Sequence, residues 1–455
     1  MKVLLVKCLD PSRRDVYAFR QIPLGIASLV AVLQDQHEVV VHDMLVDDNL
    51  NDRIRLESPE IIGLSIFSVD YIFTKNILPN IRKLAPNIPI VAGGTHSTAE
   101  PVQTLKAGID FIVHGEGEDA LIHLINVLEK GGDLSNVPGI SYFAENGIDV
   151  VHNIARSRNN VDEFPMPAVE AFDYTKYTQY PLLTARGCPY GCKFCATKII
   201  WGQKVRFHSA ARVCAEIKRA VEKYKLKRLV FIDDTFTLNH KRLHSICDYI
   251  IDQGYEATWA VNSRVDTITE DVAMKMKKAG CEVVSFGIET GSELIQQRIG
   301  KKVTIKQMKE AVLACRKYDL RVKTGWMIAL PGDFDEQMKS LDLMLKLDPD
   351  EITIHHFIPM PGTPYWNNPS QYGITFDKRR LLESFSIDAL PWDIGLNFDY
   401  ITHDEIKEVT KQTINGLQKA GYKRPGDVKS YGVKSKVVNT YMDRKRLPVL
   451  TSEGK

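Results

Sequence analysis

Short apolar runs alternate with amphipathic stretches along almost the whole chain, so the period of the hydrophobic positions switches repeatedly between strand and helix values. From Lys2 to about Lys130 the runs KVLLVKC, EVVVHDM, IIGLSIFS, IPIVAGG and DFIVHGE read as buried strands, separated by helical stretches such as PLGIASLVAVLQDQ. Five βα units of this kind predict a Rossmann-like (flavodoxin-type), doubly wound parallel sheet. Ligands of such sheets sit beyond the carboxyl ends of the strands. Here those ends carry Ser65 to Ser68, Gly93-Gly94-Thr95-His96 and Gly115-Glu116-Gly117-Glu118, where glycines let a bulky ligand approach the backbone.

Residues 140–153 alternate apolar and polar around Asn146-Gly147, a hairpin signal. A polar, proline-containing connection follows to about Thr178. A second series then begins, with strand-like runs PLLTAR, RLVFIDD, ATWAVNSR, VVSFGIE, TGWMIALP and ITIHHFIP separated by helical segments. Six βα units predict an open or partial barrel with its chemistry at the strand carboxyl ends. Beyond it, THDEIKEVTKQTINGLQKAGY reads as an amphipathic helix. Trp366 and Trp392 are either pocket walls or packing. The Lys- and Arg-enriched stretch from Lys423 reads as a peripheral extension. The expected division is 1–139, 140–178 (hairpin and linker), 179–368 (barrel) and 369–455, an α/β protein throughout with a mainly helical C-terminal region.

With 455 residues the chain exceeds what one core usually serves. Its 59 basic and 57 acidic residues leave a formal charge of only +2, which excludes a protein built around a nucleic-acid or membrane-surface field. No run approaches the roughly 20 apolar residues of a membrane span, and the N-terminus enters a strand directly, so a cytoplasmic protein is expected. Cys8, Cys214, Cys247, Cys281 and Cys315 are scattered singly, which suits buried thiols in a reducing compartment rather than a disulfide framework.

The remaining three cysteines form Cys188-Pro-Tyr-Gly-Cys192-Lys-Phe-Cys195 directly after the strand PLLTARG. Three thiolates on one short loop can hold three irons of a cubane and leave the fourth open to a substrate. The alternative is a zinc site completed by a distant cysteine or histidine. No dinucleotide fingerprint or phosphate-binding loop appears in the first 130 residues.

On these residues the chain resembles the radical S-adenosylmethionine (SAM) superfamily, over about Tyr180 to Pro364. The resemblance implies a 4Fe-4S cluster on Cys188, Cys192 and Cys195, with SAM chelating the open iron. It places Phe194 near adenine, Asp233 and Asp234 at the SAM ammonium, Arg264 at its carboxylate, Glu289 at the ribose and Leu330 in the turn LPG. Ala329 and Asp333 depart from the family's GLPGE at that turn. The first 130 residues resemble the B12-binding domain that precedes many such barrels. That likeness implies cobalamin contacts from Leu24, Ser65, Ser68, Gly93, Gly94, Thr95, His96, Gly115, Glu116, Gly117 and Glu118. The sequence Asp-x-His-x-x-Gly is absent, since His42-Asp43 has the wrong order, so the corrin would bind base-off with no histidine below cobalt. A flavodoxin-like domain without cofactor is the other reading, because fold alone does not fix a ligand; His96 and His114 suit either corrin neighbours or solvated loop positions.

The activity implied is reductive SAM cleavage to a 5'-deoxyadenosyl radical with methyl transfer from methylcobalamin to an unactivated carbon. A cyclase of the anaerobic chlorophyll-ring type uses the same cofactors without methylation. A non-catalytic iron-sulfur and corrinoid module is the third reading. The methylthiotransferase class needs three further N-terminal cysteines, and only Cys8 is there. Expected partners are a small-molecule, lipid or peptide substrate and an electron donor such as flavodoxin or ferredoxin, with no nucleic acid.

Overall fold

A computed structural model describes residues 1–16, 20–385, 389–423 and 436–440. The chain forms two compact units: Met1–Pro189, Ala196–Arg212 and Met360–Thr363 make the first, and Tyr190–Cys195, Val213–Pro359 and Pro364–Lys455 the second.

In the first unit β1 (Lys2–Lys7), β2 (Glu38–Asp43), β3 (Ile61–Ser65), β4 (Ile90–Gly93) and β5 (Phe111–Val113) form a parallel sheet in the order β2-β1-β3-β4-β5. Continuous apolar runs make these strands because the inner ones are covered on both faces; Val3, Leu4, Leu5 and Val6 are all at most 2% exposed. The Asn146-Gly147 signal is realised as β6 (Ile140–Phe143) and β7 (Val150–His152). This hairpin is more than a linker feature: β6 pairs antiparallel with β5, Ile112 facing Ser141, and extends the sheet. Gly147 takes φ 68 in the turn, and the Asn146 side chain accepts from the amides of Ile148 and Asp149, both at 3.0 Å.

The stretch PLLTAR divides into β8 (Tyr180–Leu182) and β9 (Ala185–Arg186); β9 pairs antiparallel with β10 (Arg206–Phe207). In the second unit β11 (Arg228–Phe231), β12 (Thr258–Ser263), β13 (Cys281–Glu289), β14 (Arg321–Ile328) and β15 (Glu351–His356) run parallel and follow one another across the sheet. A small hairpin, β16 (Ile374–Thr375) and β17 (Asn397–Phe398), lies in the C-terminal region. The expected peripheral extension contains β18 (Val437–Thr440), which continues the sheet in parallel beside β15 with Glu351 opposite Val437. Val437 and Val438 are 3% and 1% exposed, so a short β-branched run outweighs the polar residues around it. The rest of that extension lies outside the described residues.

Helix ends are set by side chains. Thr304 with Gln307, and Thr402 with Glu405, form reciprocal capping boxes. Trp366 is fully buried and packs against Phe376. Among the described residues no helix is long and apolar enough to cross a membrane.

Candidate cofactor site

The second half of the cysteine loop is held within the second unit. Lys193 donates its main-chain N–H to the Ile299 carbonyl at 2.9 Å. Gly300 lies so close that a Cβ there would meet the Gly191 carbonyl at 2.9 Å, and its φ of 73 also favours glycine. Arg264 follows β12, 6% exposed, and is fixed by a two-point ion pair to Asp266 at 3.0 Å and a bond to the Lys301 carbonyl at 2.9 Å. Its guanidinium stacks 3.5 Å from the Tyr190 ring centre and reaches Cys192 Sγ at 4.0 Å. Burial pushes the Cys192 thiol up, while the charges of Lys301 and Arg264 pull it back toward thiolate.

All three loop thiols are half-buried and form no disulfide. Among the described residues no three His, Cys, Asp or Glu side chains converge on one metal-ion position, as a zinc site requires. A cubane asks something different, one thiolate at each of three corners, and three soft donors beside two cations suit such an anionic cluster.

At the end of β13, Glu289 sits at φ 71, in the left-handed region that costs a side-chain-bearing residue. A shift in register between Gly287 and Glu289 turns the carboxylate out of the ladder, and Lys301 Nζ fixes it at 2.6 Å. The same ammonium lies 5.8 Å from the Phe194 ring. Sequence reasoning missed Lys301, a buried cation twelve residues after Glu289 that no motif spacing marks. Asp233, after β11, is 1% exposed; Asp234 is exposed. The turn after β14 explains both departures from GLPGE. Ala329 adopts φ 69, the conformation in which the family's glycine would be at ease. Asp333 caps the next helix by accepting from Glu336 N at 3.0 Å. Leu330 is fully buried, and its carbonyl accepts from Gln337 at 2.5 Å.

In the first unit the strand ends expected to meet cobalamin divide by role. Gly94 has φ 95, and a Cβ there would strike the Ile66 carbonyl at 2.8 Å; Gly115 has φ 62. Leu24 and Gly117 open helices, and Thr95 begins the one after β4. Ser65 and Gly93 close their strands. Ser68 is buried and bonds His96 Nδ1 at 3.2 Å. His96 is not solvated: it is fully buried, stacked 4.0 Å from Tyr71, and burial lowers its pKa to about 3. His114 is likewise pushed down to about 4, its Nε2 2.5 Å from Ser141 Oγ. The carboxylates of Glu116 and Glu118 are engaged by arginines: Arg186 bonds both, and Arg206 bonds Glu116. Within the same strand end Phe67 is 42% exposed just past β3, with the Lys7 ammonium 4.0 Å from its ring centre.

Two parallel α/β sheets, with a three-cysteine loop ahead of the second, define a cofactor-dependent enzyme class. A family model described as the radical SAM superfamily matches residues 182–344, and one described as the B12 binding domain matches 14–125. The chain is 34% identical over 382 residues to an uncharacterized methyltransferase of Pyrococcus horikoshii, covering 80% of this chain and 82% of that protein. It is 26% identical to an anaerobic magnesium-protoporphyrin IX monomethyl ester cyclase of Rubrivivax gelatinosus, over 70% of this chain and 60% of that one. Among solved structures, the radical SAM methyltransferase TsrM of Kitasatospora setae, with cobalamin and a 4Fe-4S cluster bound, matches with a TM-score of 0.70 at 18% identity, over 83% of this chain and 80% of that one. The chain therefore belongs to the radical SAM superfamily, in the branch that carries an N-terminal B12-binding domain. It is a cobalamin-dependent radical SAM enzyme whose cofactors are a 4Fe-4S cluster, SAM and cobalamin.

Proposed function

We propose that this enzyme is a C-methyltransferase acting on a small substrate. The observation that carries the reading is the 34% identity, over most of both chains, to a protein described as a methyltransferase. When bound, the cofactors supply reductive SAM cleavage to a 5'-deoxyadenosyl radical and a methyl group for an unactivated substrate carbon.

The chain's own residues bind and orient. Cys188, Cys192 and Cys195 hold the cluster, with Arg264 and Lys301 balancing its charge. Lys301 presents Glu289 toward the SAM ribose, and Asp233 and Asp234 provide carboxylates for the SAM ammonium. Phe194 and Leu330 form the adenine side. Gly93, Gly94, Thr95, Gly115 and Gly117, with Leu24, Ser65 and Ser68, give cobalamin a backbone-lined seat. The electron comes from a flavodoxin or ferredoxin.

A second reading, cyclisation without methylation, is favoured by relatives described as anaerobic magnesium-protoporphyrin IX monomethyl ester cyclases at 25–26% identity. The deciding experiment is anaerobic reconstitution with cobalamin and SAM labelled in its methyl group, against candidate lipid, peptide and tetrapyrrole substrates. Label in the product with 5'-deoxyadenosine formed supports methyl transfer. A product without label, again with 5'-deoxyadenosine, would favour cyclisation.

A further inference from the structure

Beside the cysteine loop the second unit contains a cavity of about 310 Å³, at the lower end of the range for small-ligand sites. Its wall carries two cations, Lys193 and Arg298, with Gln371 and Tyr365, Tyr372 and Tyr400, and among the described residues no carboxylate. Elsewhere beside the cluster loop the buried cations meet acidic partners, as Lys301 meets Glu289 and Arg264 meets Asp266. Among the described residues neither Lys193 nor Arg298 enters an ion pair. Arg298 donates to the Pro331 carbonyl at 3.2 Å and is otherwise exposed; Lys193 Nζ lies 5.1 Å from the Tyr372 ring centre.

Tyr365 provides the second, independent observation. The residue is fully buried, and among the described residues its hydroxyl has no hydrogen-bond partner. Burial raises the phenol's pKa further, so it remains a donor. An unsatisfied buried hydroxyl is destabilising, a cost relieved when an acceptor arrives. Tyr400, by contrast, already donates to the Ala329 carbonyl at 3.2 Å.

A recess with two cations outside any ion pair, Arg298 only in the longer-range field of Glu336, and a stranded donor favours an acceptor that carries negative charge. A cation would be repelled, and a neutral ligand would satisfy the phenol without drawing on either charge. We propose that this cavity is an oxyanion site, taking one phosphate or carboxylate group of a small molecule between Lys193, Arg298 and Tyr365.

Its position gives it a consequence for the cluster. Lys193 stands between Cys192 and Cys195, and its main-chain amide is bonded to Ile299, the neighbour of Arg298. An anion joining the two side chains would brace the loop against the turn that also carries Lys301. The inference rests on this cavity alone and is independent of whether the enzyme methylates.

The test is anaerobic titration calorimetry of the reconstituted holoenzyme with inorganic phosphate, with phenyl phosphate and with citrate. Saturable binding of one equivalent of at least one of these is expected. Inorganic phosphate binding as well as phenyl phosphate points to a free anion, while phenyl phosphate binding at least tenfold tighter points to an anionic group on an organic ligand; either supports the site. Arg298→Gln and Lys193→Gln should each weaken binding about tenfold, the loss of one charge-assisted hydrogen bond. Tyr365→Phe should weaken it severalfold, and this near-isosteric variant decides the matter if the charge variants lose iron or fold poorly. No saturable binding, affinity unchanged in Tyr365→Phe and Arg298→Gln, or displacement of phosphate by SAM would each overturn the proposal. SAM cleavage followed in the same samples keeps the two readings apart: cleavage without anion binding defeats this inference, and anion binding without cleavage defeats the functional one.

Discussion

Arg186 and Glu118 stand 68 positions apart in the chain and 2.6 Å apart in space. The other arm of the guanidinium reaches Glu116 at 2.9 Å, and all three side chains are at most 7% exposed. The arginine lies two residues ahead of Cys188, so the carboxyl end of β5 grips the root of the cysteine loop. Burying such charges is costly and adds little net stability, but removing one partner leaves the others stranded. Arg186→Met should therefore destabilise the protein by about 3–5 kcal/mol in denaturant titration and lower its reconstituted iron content. Arg55→Met, at an arginine 61% exposed in its ion pair, should cost no more than about 0.5 kcal/mol.

The same contact shows what the sequence could and could not reveal. Continuous apolar runs announced β1 to β5 and the barrel strands, because burial on both faces leaves a one-dimensional signature. The string HGEGE marked a strand end where a ligand was expected. It could not reveal that the carboxylates would be taken by Arg186 and Arg206, since pairing across such distances leaves no local pattern. Lys301 was hidden for the same reason, and β18 was hidden by the polar composition of its surroundings. His96 suited either a corrin neighbour or a solvated loop position from its neighbours in sequence, and only the packing of Tyr71 over it shows its burial.

Lys301 is predicted to act through Glu289. Lys301→Met removes the ammonium 2.6 Å from a carboxylate that is 14% exposed, and SAM should then bind about tenfold more weakly. Lys301→Arg should recover part of that loss. Equilibrium dialysis with labelled SAM checks both, and unchanged binding in the methionine variant would show Glu289 to be held by other means.

Ala329 offers a test of backbone strain. At φ 69 a non-glycine residue costs about 1–2 kcal/mol, so Ala329→Gly should stay within about 1 kcal/mol of the parent despite losing a buried methyl. Ala311, equally buried but inside the helix Ile305–Lys317, has no strain to release, and Ala311→Gly should cost about 1–2 kcal/mol. Urea titrations compare the pair.

His96 makes a pH prediction. Its folded pKa of about 3 lies below the ordinary 6.5, so the unfolded chain takes up the proton first. The stability it permits is complete above about pH 6.5 and falls as pH drops toward 3, by up to about 1.4 kcal/mol per pH unit. His96→Gln should flatten that part of the acid-denaturation curve, and an unaltered slope would refute the assignment.

The thiols should separate by reactivity. Burial pushes Cys8, Cys247 and Cys315 up to about 12, whereas the loop cysteines are half-buried. Iodoacetamide should label Cys188, Cys192 and Cys195 first in the cluster-free protein, with cluster assembly protecting all three; mass spectrometry reads the order. Cys192→Ala should abolish SAM cleavage and leave corrinoid binding largely intact.

The pairing of Val437–Thr440 with β15 has a practical corollary for anyone handling the protein. Trimming the chain at residue 435 would strip the cover from a row of main-chain donors and acceptors along Glu351 to Ile354. Such a bare ribbon recruits other chains, so a shortened variant should precipitate through intermolecular β-pairing even though every residue named for the cofactors remained in place.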